Sequence, residues 1–263
     1  MVKRLSTVVA VGLLAGWAGG AQAQRGPGGF GPGFGPGGFG FGPGMGRVVM
    51  GEPYTASATE SSTDTLSNGT TITHSSTISE ARDTEGRTYR SVTVAATATE
   101  PSYTRTTVFD PVAHTLTEWS SKSTTATQVT LPANPPGGRG RWAGGPGAGG
   151  PPPAGGRGER FGGQVTRTTL SPQTIAGVTA DGVETTVTVP AGAEGNSQPL
   201  VSTREVWTSP TLKIVLEEKS TDPRMGTHTM EVTSLTPGTP DSTLFQVPSG
   251  YTVKTVTRHR GGN

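Results

Sequence analysis

The 263-residue sequence contains no cysteine. This absence excludes disulfide bonds, thiol nucleophiles and thiolate metal sites, so a packed core must stabilise the fold. The sequence also has only 4 histidines, and none stands in a metal-binding spacing: His74, His114, His228 and His259. With neither cysteines nor spaced histidines, the sequence predicts no metal site and no cofactor.

Motifs of catalysis and of phosphate binding are missing as well. There is no Gly-x-Ser-x-Gly element, and the glycine-rich stretches carry no Gly-Lys-Ser or Gly-Lys-Thr ending. Several acids occur beside proline or glycine or within predicted turns, where a carboxylate accepts local backbone hydrogen bonds: Asp110, Asp181, Asp222 and Asp241. No catalytic residue is therefore predicted, and an unidentified enzyme is the third of three functional hypotheses.

Charge of one sign is not in excess. Removing Lys3 and Arg4 with the N-terminal segment described next leaves 19 basic residues of 21, equal to the 19 acidic residues. The basic pI of the whole chain, about 9.1, is thus no sign of a basic surface. Nucleic acid is excluded as a predicted partner, since its recognition needs basic residues gathered on one face.

Long hydrophobic runs are confined to the N-terminus. Lys3 and Arg4 precede an apolar run from Leu5 to Trp17, and Ala21-Gln22-Ala23 follows as a small-x-small cleavage site. This layout predicts a signal peptide at residues 1–23, with no transmembrane segment after its removal. The mature protein is expected to begin near Gln24 and to work in the periplasm or outside the cell.

Glycine and proline, by contrast, are abundant, with 41 and 22 residues respectively. They concentrate in a Phe-containing leader at 24–47 and in an Arg-containing insertion at 132–163, and both are predicted to be disordered because they offer too few apolar side chains to form a core. An alternative interpretation makes the phenylalanines of the leader contacts for self-association or a partner, and the arginines of the insertion contacts for anionic envelope polymers.

The remaining sequence is rich in threonine, serine and valine, and no stretch keeps a helical apolar period. Asn68-Gly69, Asp83–Gly86 and Asp181-Gly182 predict turns, and Pro240 to Phe245 predicts a helical turn. The predicted strands cover 54–66, 70–79, 89–95, 103–109, 115–119, 165–170, 173–178, 183–189, 204–208, 212–219 and 227–235. They form two β halves, at 48–131 and 164–257, followed by a tail at 258–263, and the pattern is compatible with one sheet or two.

Several strings of this sequence resemble an uncharacterised exported β-protein family of acidobacterial type, over roughly Met50 to Val253. The strings are Asp83-Thr84-Glu85-Gly86-Arg87, Phe109-Asp110-Pro111-Val112, Gln173-Thr174-Ile175-Ala176-Gly177-Val178, Val189-Pro190-Ala191-Gly192, Glu205-Val206-Trp207-Thr208-Ser209-Pro210, Ser220-Thr221-Asp222-Pro223-Arg224 and Leu244-Phe245-Gln246-Val247-Pro248-Ser249-Gly250-Tyr251. More distantly, an isoleucine-glycine element, a tryptophan-bearing strand and the Leu-Phe-x-x-Pro-x-Gly-Tyr ending resemble the periplasmic lipoprotein-carrier superfamily. That resemblance implies an open half-barrel whose concave face holds acyl chains.

The predicted fold is therefore all-β, with a curved antiparallel sheet (an open half-barrel) interrupted by the insertion. Large aromatic side chains usually fill protein cores, and core packing is the first interpretation of those in this sequence. If the sheet is a half-barrel, four aromatics are instead candidates to line its concave face and hold a lipid or another apolar ligand: Trp119, Trp207, Tyr89 and Phe245. The first functional hypothesis is a non-enzymatic binder of an apolar or amphipathic molecule. The second is an envelope or surface interaction protein that acts through the leader and the insertion.

Overall fold

The computed structural model describes residues 48–131 and 163–256. The predicted signal peptide (1–23), leader (24–47) and tail (258–263) lie outside the described residues, as does all of the predicted insertion except Gly163. Within the described ranges, no helix is both long enough and apolar enough to span a membrane.

The described chain is all-β, as predicted, with twelve strands and one short 3-10 helix. The strands are β1 (Tyr54–Thr65), β2 (Thr71–Arg82), β3 (Thr88–Val94), β4 (Tyr103–Asp110), β5 (Thr115–Ser120), β6 (Thr125–Thr130), β7 (Gln164–Ile175), β8 (Val178–Val189), β9 (Leu200–Thr208), β10 (Val215–Asp222), β11 (Gly226–Pro237) and β12 (Thr252–Val256). The helical turn predicted near Pro240 is confirmed as a 3-10 helix over Ser242–Phe245, whose first turn is capped by the side chain of Asp241.

All twelve strands belong to one open, curved sheet in the order β12-β6-β5-β4-β3-β2-β1-β11-β10-β9-β8-β7. Each half of the chain folds as an antiparallel meander, β1 to β6 and β7 to β11. The two meanders join where β1 pairs antiparallel with β11, from Tyr54↔Pro237 to Thr63↔Thr227. The two predicted halves therefore form one sheet rather than two.

The pairing of β12 departs from the predicted antiparallel pattern, because β12 runs parallel to β6. The chain leaves β11 near the middle of the sheet and enters β12 at the far edge. Between these strands, Phe245, Val247 and Tyr251 pack on residues of β4 to β6, so the segment crosses the face of the first meander. Such a crossing, unlike a tight hairpin, can return a strand in the parallel direction.

The hairpin predicted at Asn68-Gly69 is confirmed, with Gly69 in the left-handed region at φ 83°. The turn predicted at Asp181-Gly182 is wrong, since both residues lie inside β8. The chain turns instead at Ala176 and Gly177, whose φ angles of 48° and 81° fit a tight hairpin. Gly182 is required by packing and not by a turn, because a Cβ at this position would lie only 2.5 Å from Trp207 Nε1.

The strands predicted at 165–170 and 173–178 are a single strand, β7, up to Ile175, with a bulge between Leu170 and Gln173. Pro172 lies within this bulge. A proline is tolerated there because β7 is the edge of the sheet and a bulge needs no ladder hydrogen bond at that residue.

The sheet has two chemically different faces, which follow from the alternation of side chains along each strand. In β1 and β2 one face carries buried residues such as Ala58 and Ile78, while the other carries exposed residues such as Thr59 and Thr77. We call the first the inner face and the second the outer face, and extend both names to the other strands through the pairing register.

Candidate functional site

The centre of the inner face is aliphatic. Ala58 lies between Ile78 on β2 and Val232 on β11 in the pairing register, and all three are buried. Met230 extends this surface one pair further along β11 and is 1 % exposed. These apolar side chains form the centre of the inner face, and the charged residues of that face lie around them.

The first charged group of the inner face is centred on Glu60. Its Oε1 lies 2.9 Å from His228 Nε2, and its Oε2 accepts a hydrogen bond of 3.1 Å from Ser76 Oγ. Burial by itself would raise the pKa of Glu60, but the hydrogen bond and charge of His228, the charge of Arg90 and the Ser76 hydroxyl outweigh it and hold the pKa below its ordinary value. Glu60 is therefore a carboxylate kept ionised by its partners.

The second charged group is centred on Glu80, on the neighbouring strand. Arg90 Nη1 donates to Glu80 Oε1 at 3.1 Å, and the Tyr54 hydroxyl donates to Oε2 at 3.4 Å. Burial is nevertheless the largest influence, and it raises the pKa of Glu80 from 4.5 to about 8. The same burial, together with the charge of Glu80, raises the pKa of Tyr54 well above its ordinary value.

A loop seals the end of the inner face next to this group. Arg82 stacks on the Tyr54 ring, with 4.9 Å from its guanidinium carbon to the ring centre, and Nη2 donates to Leu212 O at 2.6 Å. Leu212 belongs to the connection between β9 and β10, where its amide donates to the buried Ser209 Oγ. The Tyr54 end of the inner face is therefore closed by residues of the chain itself.

The third charged group lies on β9 and β10. Arg204 donates to both carboxylate oxygens of Glu218, through Nε at 2.7 Å and Nη2 at 2.9 Å. Glu218 is fully buried, whereas the side chain of Arg204 is 23 % exposed. This bidentate geometry holds the carboxylate in place and leaves the guanidinium at the surface of the inner face.

On both sides of the buried centre, the inner face exposes aliphatic surface. Val92 and Val94 on β3 are half-buried, and so are Val183 on β8 and Val206 on β9. Val206 pairs with Val183 on one side and with Glu218 on the other, which places the two valines next to the third charged group. The inner face thus combines accessible apolar patches with fixed charges.

Three of the four aromatics predicted from the sequence lie together on the outer face. Trp119 packs with Val108 and Ala126, and Tyr89 and Phe245 pack against this cluster. Tyr251 meets the Trp119 ring at a centre-to-centre distance of 6.2 Å and an interplanar angle of 57°. The segment between β11 and β12 covers this cluster, so the aromatics fill a small core on the face opposite the charged groups.

Trp207, the fourth predicted aromatic, lies on the second meander and belongs to a different cluster. Past its bulge, β7 bends over the outer face, because Gln173 Nε2 donates to Glu217 Oε2 at 2.7 Å although β8 and β9 separate the two strands. Trp207 is 8 % exposed at this place and packs on Gly182. The structure therefore brings three of the predicted aromatics together and leaves Trp207 apart, and their role in binding stays a prediction.

Sequence reasoning missed the charged groups of the inner face. A signal for one of them is present: Ala56, Ala58 and Glu60 share a face by even spacing, which places an acid in line with buried alanines. Its partner His228 is 168 positions away in the chain and is reached only through the pairing of β1 with β11. Among the described residues, no cluster of acids and histidines fits a metal ion.

Two further sets of charged residues lie close together in the sequence. Arg204 and Glu205 point to opposite faces, since Arg204 binds Glu218 while Glu205 lies opposite Lys219. Asp222 and Arg224 pair within their own turn at 3.0 Å. Burial opposes the shift, yet the hydrogen bonds of Arg224 and Ser202 lower the pKa of Asp222 to about 2.

No protein-family model matches the sequence. The comparison with curated proteins gives no significant match either.

Solved structures with a similar chain path share little sequence with this protein. The MucA/MucB complex of Pseudomonas aeruginosa is 11% identical over 78% of this chain and 59% of that chain, with a TM-score of 0.38. A putative outer membrane lipoprotein-sorting protein domain from Vibrio parahaemolyticus is 8% identical over 76% of this chain and 90% of that chain, with a TM-score of 0.29. A LolA superfamily protein from Nitrosomonas europaea is 8% identical over 76% of this chain and 92% of that chain, with a TM-score of 0.27.

At these TM-scores the similarity to the lipoprotein-sorting and LolA-superfamily chains is distant. This chain spans 59% of the length of the Pseudomonas aeruginosa chain.

Proposed function

We propose that this protein is an exported, non-enzymatic β-protein that binds an amphipathic molecule along the inner face of its sheet. The observation that carries the proposal is the set of half-buried valines on both sides of the buried centre: Val92, Val94, Val183 and Val206. Each leaves apolar surface in water beside fixed charged groups. A ligand with an apolar and a polar part matches that combination, because it covers the valines and still reaches the charges.

The mechanism of such a protein is passive. Contacts within the chain hold the sheet and its buried ion pairs in place, so binding is expected to cost little reorganisation of the protein. Affinity then comes mainly from the apolar area removed from water, at about 25 cal/mol per Å². The export proposal rests on the N-terminal pattern of positive charge, apolar run and small-residue cleavage site.

A matched pair of variants on β9 tests the location of the site. Val206→Gln replaces a half-buried valine of the inner face, while Val201→Gln replaces an exposed valine that alternation places on the outer face. We expect Val206→Gln to weaken binding of dodecanol about tenfold, since burying a valine side chain contributes roughly 1.5 kcal/mol or more. Val201→Gln should bind as the unaltered protein does. Dodecanol affinity is measured by displacement of an apolar fluorescent dye.

Equal dodecanol affinities of the two variants would contradict a binding site on the inner face. The outer-face aromatics are then the alternative location, and Trp119→Leu, which opens the cluster beneath the segment between β11 and β12, is the variant that tests it. The hypothesis of an envelope interaction protein rests on the leader and the insertion, which lie outside the described residues except for Gly163.

A further inference from the structure

The turn between β1 and β2 carries the dipeptide Asn68-Gly69, and both residues are exposed. The Gly69 amide donates to Leu66 O at 2.9 Å, and the Leu66 amide donates to Thr70 O at 2.8 Å. Gly69 has a φ angle of 83°, and a Cβ at this position would meet no atom of the described chain within 4 Å. The main chain of this turn is therefore held by hydrogen bonds but stays open to water.

The Asn68 side chain folds over the peptide bond that follows it. Its Oδ1 accepts a hydrogen bond of 3.0 Å from the Thr70 amide, two residues along the chain. The ring closed by this hydrogen bond holds Asn68 Cγ beside the Gly69 nitrogen, which lies between the two bonded residues. An N–H donor at this distance also favours negative charge on the amide oxygen, as donors do in an oxyanion hole. The side-chain carbonyl of Asn68 is thus polarised next to a main-chain nitrogen.

Asn196, the other asparagine among the described residues, is held differently. It is half-buried, and its Nδ2 donates to Pro190 O at 2.9 Å and to Gln198 O at 2.6 Å. Its Oδ1 accepts a hydrogen bond of 3.0 Å from the Glu194 amide. The residue that follows it, Ser197, has a Cβ that restricts the main chain, unlike a glycine. Both ends of the Asn196 amide are therefore fixed by the chain.

We infer that Asn68 is a site of spontaneous covalent modification, at which the side chain closes on the Gly69 nitrogen and loses ammonia. The Gly69 N–H gives its proton to hydroxide, the nitrogen forms a bond to Asn68 Cγ, and the Cγ–Nδ2 bond breaks. The amide nitrogen takes a proton from water and leaves as ammonia, so that a succinimide ring remains. Water then opens the ring at Cγ to give aspartate, or at the main-chain carbonyl carbon to give isoaspartate.

Two hydrogen bonds of the turn act in opposite directions on this reaction. The bond from the Gly69 amide to Leu66 O must open before the nitrogen attacks. The bond from the Thr70 amide to Asn68 Oδ1 stabilises the oxyanion that forms during the attack. Exposed turns open locally at a small cost in free energy, so the reaction proceeds in the folded protein.

The products change both the charge and the length of the turn. Each product has a carboxylate in place of the neutral amide, and isoaspartate also adds one atom to the main chain between β1 and β2. The added atom disrupts the hydrogen bond from Gly69 to Leu66. Further along β1, Thr63 pairs with Thr73 of β2 and with Thr227 of β11, so the change should stay within the turn.

Peptide mapping of the full chain, kept folded in mildly alkaline buffer, follows both asparagines in one sample. An isoaspartate methyltransferase assay identifies the isoaspartate product. We expect Asn68 to convert at least about tenfold faster than Asn196, because only Asn68 is held beside an unhindered main-chain nitrogen. Gly69→Ala should slow the conversion about tenfold, since a side chain at this position hinders the attack.

A matched pair of variants at Thr70 tests the role of its amide. Thr70→Pro removes the N–H that binds Asn68 Oδ1 and should slow the conversion roughly tenfold, whereas Thr70→Ala keeps this donor and should convert as the unaltered protein does. Circular dichroism checks that both variants retain the sheet. Equal rates in the two variants would overturn the role of the Thr70 amide.

The same chain in urea provides the comparison with the unfolded state. If Asn68 stays an amide in the folded protein but converts in urea, the hydrogen bond from Gly69 to Leu66 protects the turn, and the inference is wrong. Equal conversion of Asn68 and Asn196 in the folded protein would also overturn it, because the geometry of the turn would then have no effect.

Discussion

Glu60 and Glu80 lie on neighbouring strands, point to the same face and are almost equally buried, at 8 % and 7 % exposure. Their pKa values nevertheless shift in opposite directions, downward for Glu60 and upward to about 8 for Glu80. Burial raises both pKa values, but Glu80 lies deeper from water than Glu60, and its partners offset less of that effect. The small exposed fraction that the two residues share therefore does not decide whether a carboxylate in this sheet is charged.

The partners of the two carboxylates differ in their geometry. His228 Nε2 lies 2.9 Å from one carboxylate oxygen of Glu60, and Ser76 Oγ donates a hydrogen bond of 3.1 Å to the other oxygen. Glu60 lies where the sheet begins to open to water. Glu80 accepts a hydrogen bond of 3.1 Å from a single nitrogen of Arg90 and one of 3.4 Å from the Tyr54 hydroxyl. It lies beneath the loop that closes the Tyr54 end of the inner face. Short contacts and nearby water favour the charged form, and longer contacts in a closed place favour the neutral one.

Glu218 extends the comparison to a carboxylate that is fully buried and has a bidentate partner. Arg204→Leu removes that partner and leaves Glu218 with no compensating charge. We expect a loss of about 3–5 kcal/mol in the free energy of unfolding, because removing one partner of a buried ion pair leaves the other charge buried without compensation. Denaturant unfolding monitored by circular dichroism measures this loss.

The control for this variant is Arg224→Leu. Arg224 pairs with Asp222 and Glu194 at the surface, with 38 % of its side chain exposed. Its loss should cost less than about 1 kcal/mol, the usual range for exposed pairs. If both variants lose a similar amount of the free energy of unfolding, water reaches Glu218, and the burial of this carboxylate does not determine the loss.

Glu80→Gln gives the next largest effect, and that effect depends on pH. Between pH 4.5 and about 8 the folded protein holds a proton on Glu80 that the unfolded chain has released. The stability contributed by this group is therefore full at low pH and is lost as pH rises, with a slope of up to about 1.4 kcal/mol per pH unit. The glutamine stays neutral, so the variant should lack this slope.

The measurement is the free energy of unfolding of both proteins at pH 5, 6 and 7. From pH 5 to pH 7, the free energy of unfolding of the variant should rise relative to that of the unaltered protein by up to about 3 kcal/mol. The contributions of all other groups cancel in this difference. Parallel curves would show that Arg90 keeps Glu80 ionised in the folded state. Glu80 would then behave as Glu60 does, and the comparison would fail.

The local rules of strand and turn chemistry made most of this fold predictable. Asn68-Gly69 marks a hairpin because both residues accept left-handed backbone angles, and alternating threonine and valine marks the strands on either side. Asp181-Gly182 carries the same kind of signal yet lies inside a strand, since Gly182 makes room for Trp207, a contact between residues 25 positions apart. A glycine required by packing and a glycine required by a turn look alike in a sequence.

The candidate site was not predictable by the same rules. Arg204 and Glu218 are 14 residues apart, and Glu60 and His228 are 168 apart, so their meeting depends on strand order and register. The large aromatics were the most visible candidates in the sequence, and they lie on the outer face under the two segments that fold over it. Composition identifies which residues are buried, while pairing decides which of them share a face.

Glu60→Gln is expected to have the smallest effect and the opposite sign of pH dependence from Glu80→Gln. The folded pKa of Glu60 lies below the ordinary value of 4.5, so its contribution to stability is full above pH 4.5 and is lost as pH falls through the folded pKa. The variant should therefore be less stable than the unaltered protein at pH 6, by about 1 kcal/mol, and this deficit should shrink toward pH 3. Ser76→Ala removes only the 3.1 Å hydrogen bond and should give a smaller deficit of the same sign. If the deficit of either variant grows toward low pH, His228 and Ser76 do not hold Glu60 in its charged form.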